Sequence, residues 1–190
     1  MLTNLTTEER TRPFKEQFPD FDNTMEPRGY IPPSQYDVLL SDVKHNDLVG
    51  PISQRLGIKY LEQRPDSVSQ DIVEGVLFGT NCRPMVNLVV SSKRFKKQVN
   101  IIFLVDTGSP CLYVCQNAME SLGFSDSIPE TFDLMFRGKA HEAVLSPMKS
   151  PDGEEGHYHD INLIGATFLS KTCAKLDIDY GSNSVKMAFE

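Results

Sequence analysis

The stretch from Asn100 to Val114, "NIIFLVDTGSPCLYV", is an aliphatic run that ends on a carboxylate. Ile101 to Val105 has the composition of a buried strand. Asp106 follows at once, although aspartate is depleted in strands and is rarely buried without a partner. Gly108 then permits a tight turn or the close approach of another backbone. Either the chain simply leaves a strand here, or the carboxylate is placed for proton transfer.

The rest of the chain after residue 71 also favours strands over helices. Short β-branched or aliphatic runs alternate with turn residues in "DIVEGVLFG", "RPMVNLVVSS", "TFDLMFRGKAHEAVLSP" and "KLDIDYGSNSVKMAF". Two short helices are predicted, one in "NAMESLGF" after the opening stretch and one in "ATFLSKTCA" near the C-terminus. Short strands with little helix favour a small closed or sandwich-like β fold.

The first 70 residues differ in composition and predict a helical or irregular extension (residues 1–70) to a β domain (residues 71–190). Residues 36–43 show helical spacing of apolar side chains. A second helix is predicted from Ile52 to Leu56, separated from the first by Gly50-Pro51. We expect these helices to cover a face of the sheet or to dock on a partner.

Several motifs occur together in the β domain. In order they are "FLVDTGSP", "CLYV", "AMESLGF" and "NLIGATFLSKTCAKLDIDYGSNSVKMAF". This series resembles the retropepsin-like aspartic proteases, most of all those of long-terminal-repeat retrotransposons and their domesticated cellular relatives. The resemblance covers residues 82–190. It implies a mainly β fold, a closed barrel equivalent to half of an acid protease, with one short helix after the Asp-Thr-Gly strand and one near the C-terminus.

The resemblance also implies a role for each matching residue. Asp106 is the expected catalytic aspartate, in a loop completed by Thr107, Gly108 and Ser109. Thr107 is expected to make hydroxyl contacts to a second chain, and Gly108 to let that chain approach. The segment expected to pack under the loop is Leu163, Ile164 and Gly165. A hydroxyl at Ser109 is expected to donate to Asp106 and so to lower its pKa.

The resemblance further implies a homodimer, because the sequence contains one Asp-Thr-Gly and no Asp-Ser-Gly. A second Asp106 would then come from a symmetry-related chain. Family members usually carry a flap hairpin between the first helix and the next strand pair. Here "SDSIPE" leads directly into "TFDLMFRGKAHEAVLSP". Either the flap is missing, or this strand pair serves as the flap.

Charge and composition limit the classes of partner and cofactor that we expect. A net charge of -7 argues against a nucleic-acid partner, and "KRFKK" (residues 93–97) is expected to be a solvated hairpin turn. No apolar run is long enough for a membrane span, and no signal peptide is expected. Four cysteines without metal or disulfide spacing suggest free thiols in the cytoplasm. His157, His159 and Asp160 favour an exposed loop over a metal site, so no metal or cofactor is expected.

Two functions remain open from the sequence. The first is an active homodimeric aspartic endopeptidase that hydrolyses a polypeptide substrate. The second is a retropepsin-like fold kept as a dimerisation or peptide-binding module with little or no catalysis. The intact Asp-Thr-Gly favours the first, and the apparent lack of a flap favours the second.

Overall fold

The computed structural model describes residues 40–64, 70–125, 127–149, 153–154 and 156–190. Most of the predicted N-terminal extension, residues 1–39, lies outside the described residues. So does most of the predicted helix over residues 36–43. Its last residues, Leu40 to Val43, are not helical, although the side chains of Leu40 and Val43 are fully buried.

Short strands make up most of the described chain. They are β1 (Gln63–Arg64), β2 (Ile72–Phe78), β3 (Arg83–Ser92), β4 (Gln98–Val105), β5 (Leu112–Val114), β6 (Thr131–Phe136), β7 (Lys139–Leu145), β8 (Leu163–Ile164), β9 (Lys175–Asp179) and β10 (Ser184–Ala188). The helices are short: α1 (His45–Asp47), α2 (Ser53–Leu56), α3 (Gln116–Ser121) and α4 (Ala166–Lys171).

Six of the strands close into a barrel. Around the ring, β4 pairs with β8, β8 with β5, β5 with β7, β7 with β6 and β6 with β3, and β3 returns to β4. The β4–β8 and β5–β7 pairs are parallel and the others are antiparallel. The predicted mainly β fold is therefore confirmed, with a closed barrel, a short helix after the Asp-Thr-Gly strand and another near the C-terminus.

Strand β4 lies at the centre of this arrangement. Its antiparallel partner β3 occupies one edge, while β1 and β8 share the other, β1 at the beginning and β8 at the end. Every residue from Val99 to Val105 is buried. The continuous apolar run within it, Ile101 to Val105, is typical of a strand covered on both faces. The end of β4 is therefore a rigid position for the residue that follows it.

Part of that cover comes from the residues before the barrel. Leu48, Ile52 and Tyr60 are buried in the same core as the barrel strands. The main chain of Asn100 in β4 accepts a hydrogen bond from Leu61 and donates one to Glu62. Residues 40–64 thus pack against the barrel and extend its central strand pairing.

One expectation for this region is wrong. Gly50-Pro51 does not separate two helices, because a π-helical turn (Leu48–Ile52) runs through both residues and joins α1 to α2. Proline has no N–H to donate, and a π turn changes the pairing of the helix carbonyls locally. The Leu48 carbonyl accepts the Ser53 hydroxyl at 2.6 Å, so the turn keeps a partner at this point.

The hairpin of β6 and β7 belongs to the barrel wall. Strand β6 pairs with β3, and β7 pairs with β5. Its turn is anchored by Arg137, whose guanidinium contacts the Asp71 carboxylate at 2.6 Å and lies over the Phe189 ring. Within residues 122–125 and 127–130, between α3 and β6, there is no strand.

Candidate active site

Asp106 is the first residue after β4, and main-chain contacts fix its position. Its N–H donates to the Ile164 carbonyl at 3.0 Å, and its carbonyl accepts the Ser109 N–H at 3.1 Å. The Gly108 N–H donates to Oδ1 of its carboxylate at 3.0 Å. The residue is half-buried, whereas Thr107 and Gly108 are exposed. These bonds hold the Asp106 carboxylate in a fixed position at the end of β4, at the edge of the barrel.

The segment Leu163 to Gly165 lies beside this loop. Leu163 and Ile164 pair in parallel with the last two residues of β4, and Leu163 also pairs with Tyr113 of β5. Because Gly165 has no side chain, it can lie against the loop backbone. A Cβ at this position would overlap the Cys111 carbonyl oxygen and lie 2.6 Å from that of Ser109.

The beginning of α4 completes the support of the loop. The Ala166 N–H donates to the Ser109 carbonyl at 2.7 Å, and the Thr167 hydroxyl donates to the Pro110 carbonyl at 2.6 Å. The residues that the sequence grouped into two motifs are thus neighbours in space. The loop Asp106 to Ser109 rests on Leu163 to Gly165. The contact of Thr107 with a second chain remains a prediction.

Ser109 differs from the expectation. Its side chain is fully buried, and its hydroxyl donates to the Cys111 carbonyl at 3.3 Å. A hydroxyl carries one proton. In this arrangement that proton is directed to the turn backbone, so Ser109 stabilises the loop that follows Asp106.

A buried polar network under the loop was not anticipated from the sequence. Asn162 is fully buried and accepts the Cys115 N–H through Oδ1 at 2.9 Å. Its Nδ2 donates to the Tyr60 hydroxyl at 2.8 Å and to the Ile102 carbonyl at 3.0 Å. Burial raises the pKa of Tyr60 well above its ordinary value, and burial also raises the pKa of Cys115. Both groups therefore stay protonated and neutral, as a dry core requires.

This network connects four separate parts of the chain. Asn162 directly precedes β8, Ile102 lies in β4, Cys115 lies between β5 and α3, and Tyr60 belongs to the segment before the barrel. The signal in the sequence was a single polar residue between Ile161 and Leu163. On its own such a residue does not identify its partners, which lie 47, 60 and 102 positions away.

In the described part of the loop before β8, His159 and Asp160 each bond to a main-chain group. The Asp160 carboxylate accepts the His45 N–H at 2.9 Å, and Nδ1 of His159 lies 2.8 Å from the Gly156 carbonyl. In the described part of the chain, no three His, Cys, Asp or Glu side chains are grouped so as to hold a metal ion. The four cysteines are free thiols, and burial raises the pKa of Cys111. None of the helices described is long and apolar enough to cross a membrane.

Comparisons with known proteins give a likeness in structure and no match in sequence. No protein-family model matches the chain, and no curated protein matches it by sequence. Among the solved structures that match is one described as "Crystal structure of a retropepsin-like aspartic protease from Rickettsia conorii". The match has a TM-score of 0.38 and 16% sequence identity, and covers 65% of this chain and 96% of that chain.

Proposed function

We propose that the chain is an aspartic endopeptidase whose active site forms between two copies, each contributing Asp106. The observation that carries the proposal is the placement of this carboxylate. It follows a fully buried strand, accepts the Gly108 N–H, and stands at a tip where Thr107 and Gly108 are exposed. A carboxylate held in this way is available to a substrate and to a second loop of the same kind.

The chemistry calls for a pair of carboxylates. In an acid protease, one ionised carboxylate accepts a proton from water while a protonated one polarises the scissile carbonyl. The sequence has a single Asp-Thr-Gly, so a second copy related by twofold symmetry is the source we propose for the partner. The exposed Gly108 supports this, because a side chain there would come between the approaching backbones.

Proton sharing follows from the proximity of the two groups. Two carboxylates a few ångströms apart cannot both ionise easily, so the pair titrates with two separated apparent pKa values. We therefore expect a bell-shaped pH profile for peptide hydrolysis. No metal or cofactor takes part in this reaction.

The test uses a denatured protein as a general substrate. Hydrolysis should be lost in Asp106→Asn and retained in the control Asp177→Asn, which makes the same change at an exposed position of β9. On dilution, activity should fall faster than linearly with protein concentration, because the site needs two chains. Hydrolysis that survives Asp106→Asn would exclude the mechanism, and strictly linear dilution would exclude the shared site.

A second candidate function is supported by one observation. In the described residues between α3 and β6 there is no hairpin, and the following hairpin belongs to the barrel wall. Without a cover, substrate remains exposed to water and is held less tightly. The alternative is a dimeric module that binds peptides without cutting them. Capture of peptides that remain intact on mass analysis, by wild type and Asp106→Asn alike, would favour this alternative.

A further inference from the structure

A concave surface lies at the other end of β4 from Asp106. We call it the basic groove; it encloses about 780 Å³ and is lined by Asp71, Val89, Val90, Ser91, Ser92, Lys93, Lys96, Gln98, Met135, Arg137 and Gly138. Gln98 begins β4 and Asp106 follows the end of that strand, eight residues later. At about 3.3 Å per strand residue, the groove lies roughly 25 Å from the candidate active site.

The hairpin turn that carries its lysines is held firmly. The buried Ser92 hydroxyl accepts the Phe95 N–H at 3.0 Å, and the Ser92 carbonyl accepts the Lys96 N–H at 3.0 Å. The Phe95 ring packs edge-on against Phe124 with centroids 5.2 Å apart. The positions from which the two lysines extend are therefore fixed, which lowers the entropy lost when a ligand binds.

The charges of the groove are opposite to those of the whole chain. Lys93, Lys96 and Arg137 line the groove with a single acidic residue, Asp71, which is ion-paired with Arg137 at 2.6 Å; the two lysines therefore leave the lining positive, whereas the chain carries a net charge of -7. Lys93 pairs with Asp133 at 3.1 Å, and both side chains of this pair are largely exposed. Among the described residues, Lys96 makes no ion pair. Screening limits such charges to roughly 8 Å at physiological salt, so the groove attracts anions locally despite the acidic surface elsewhere.

A hydrogen-bond acceptor in the groove narrows the class of ligand. The side-chain oxygen of Gln98 is buried, and within the described residues nothing donates to it. A buried acceptor without a donor is costly, so a ligand that brings an N–H is favoured. Val89 and Met135 add half-buried apolar surface. An acidic polypeptide offers N–H donors, carboxylates and apolar side chains together, whereas a phosphodiester backbone offers no donor.

We infer that the basic groove binds an acidic polypeptide segment of a partner protein. This inference does not rest on the proposed protease function, since the groove and Asp106 lie at opposite ends of β4. If the chain does hydrolyse peptides, the groove holds a part of the substrate remote from the cleaved bond. If it does not, the groove is a docking site for an acidic partner.

The binding test uses the full chain in the Asp106→Asn background, so that hydrolysis cannot consume the probe. The probe is a fluorescent peptide of alternating glutamate and valine, followed by anisotropy, with a glutamine-valine peptide as the neutral comparison. Lys96→Glu should weaken binding of the acidic peptide about fivefold to tenfold. The matched control Lys97→Glu makes the same change one residue further on, outside the groove, and should alter it about twofold or less.

A second variant examines the acceptor without changing charge. Gln98→Leu removes the unpaired oxygen at similar volume, so the fold should keep its melting temperature while peptide binding weakens about threefold to tenfold. Equal losses from Lys96→Glu and Lys97→Glu would overturn the inference in favour of diffuse charge. Tighter, Lys96-dependent binding of a single-stranded oligonucleotide or of phosphatidylserine vesicles would overturn it in favour of those ligands.

Discussion

Replacing Asn162 by alanine tests how residues 40–64 are attached to the barrel. The change removes three hydrogen bonds and leaves two buried groups without a partner, the Cys115 N–H and the Ile102 carbonyl, while the Tyr60 hydroxyl keeps its contact with Sγ of Cys115 at 3.6 Å. Each buried group that loses its partner costs about 1–3 kcal/mol. The shortened side chain leaves space that a water molecule can fill, so the lower part of that range applies. We expect the free energy of unfolding to fall by about 2–4 kcal/mol, a large fraction of the 5–15 kcal/mol typical of a domain.

A smaller change in the same network gives the internal comparison. Tyr60→Phe removes one hydroxyl, and Nδ2 of Asn162 keeps its bond to the Ile102 carbonyl. We expect it to cost about 1 kcal/mol. The double variant should cost less than the sum of the two single changes, because Asn162→Ala already removes the partner of the hydroxyl.

The assay is urea unfolding under reducing conditions, followed by circular dichroism. The midpoint should shift for both variants with little change in the slope of the transition. A loss of less than about 1 kcal/mol for Asn162→Ala would refute the reasoning, because a buried amide with three partners cannot be removed so cheaply. If the loss in the double variant equals the sum of the losses in Asn162→Ala and Tyr60→Phe, the two side chains do not stabilise the fold through their shared bond.

Three further predictions concern the loop and the core beside it. Gly165→Ala should lower the free energy of unfolding, measured with a chemical denaturant, by about 3 kcal/mol or more, because the new Cβ would overlap two loop carbonyls. The control Gly50→Ala has open space around its Cβ and should be neutral or stabilising. His141 is 4% exposed between aromatic rings, and burial, followed by the charges of Lys171 and Lys139, lowers its pKa below the ordinary 6.5. The stability contributed by the neutral imidazole is therefore fully present above pH 6.5 and is lost as the pH falls towards the folded pKa of His141. The melting temperature of His141→Phe should depend less on pH in that window. An unchanged pH dependence would contradict the lowered pKa of His141. Ser109→Ala should cost about 1 kcal/mol by removing the bond to the Cys111 carbonyl, and should leave the acidic limb of a pH–rate profile in place; a displaced limb would mean that the hydroxyl acts on Asp106 after all.

The barrel and the loop could be predicted because their signals are local. The apolar run Ile101 to Val105 predicts a strand buried on both faces, and this part of β4 is buried throughout. Asp106, Thr107 and Gly108 directly after this run have the composition of a turn, and the chain turns there. The pairing of that strand with Leu163 and Ile164 was expected from the family resemblance, since sequence spacing alone does not establish a parallel pair 59 residues apart.

The structure differs from the sequence-based expectations where a residue has several possible partners and tertiary packing determines which one it contacts. Ser109 has both the Asp106 carboxylate and main-chain carbonyls within sequence reach, and the turn presents the Cys111 carbonyl to it. Gly50-Pro51 has the composition of a helix break, yet a π turn accommodates it. The Tyr60–Asn162 bond joins residues 102 positions apart, and neither residue alone indicates the other.

Two hydrogen bonds of Ser146 close the base of the loop that precedes β8. The Ser146 hydroxyl donates to the Ile161 carbonyl at 2.9 Å, and the Ser146 N–H donates to the Val114 carbonyl at 2.9 Å. The chain therefore leaves and re-enters the barrel at nearly one point. Loop closure becomes only slowly more costly with length, so residues can be inserted between these anchors without shifting β7 or β8. The length of this loop and the position of Asp106 are therefore mechanically independent of each other.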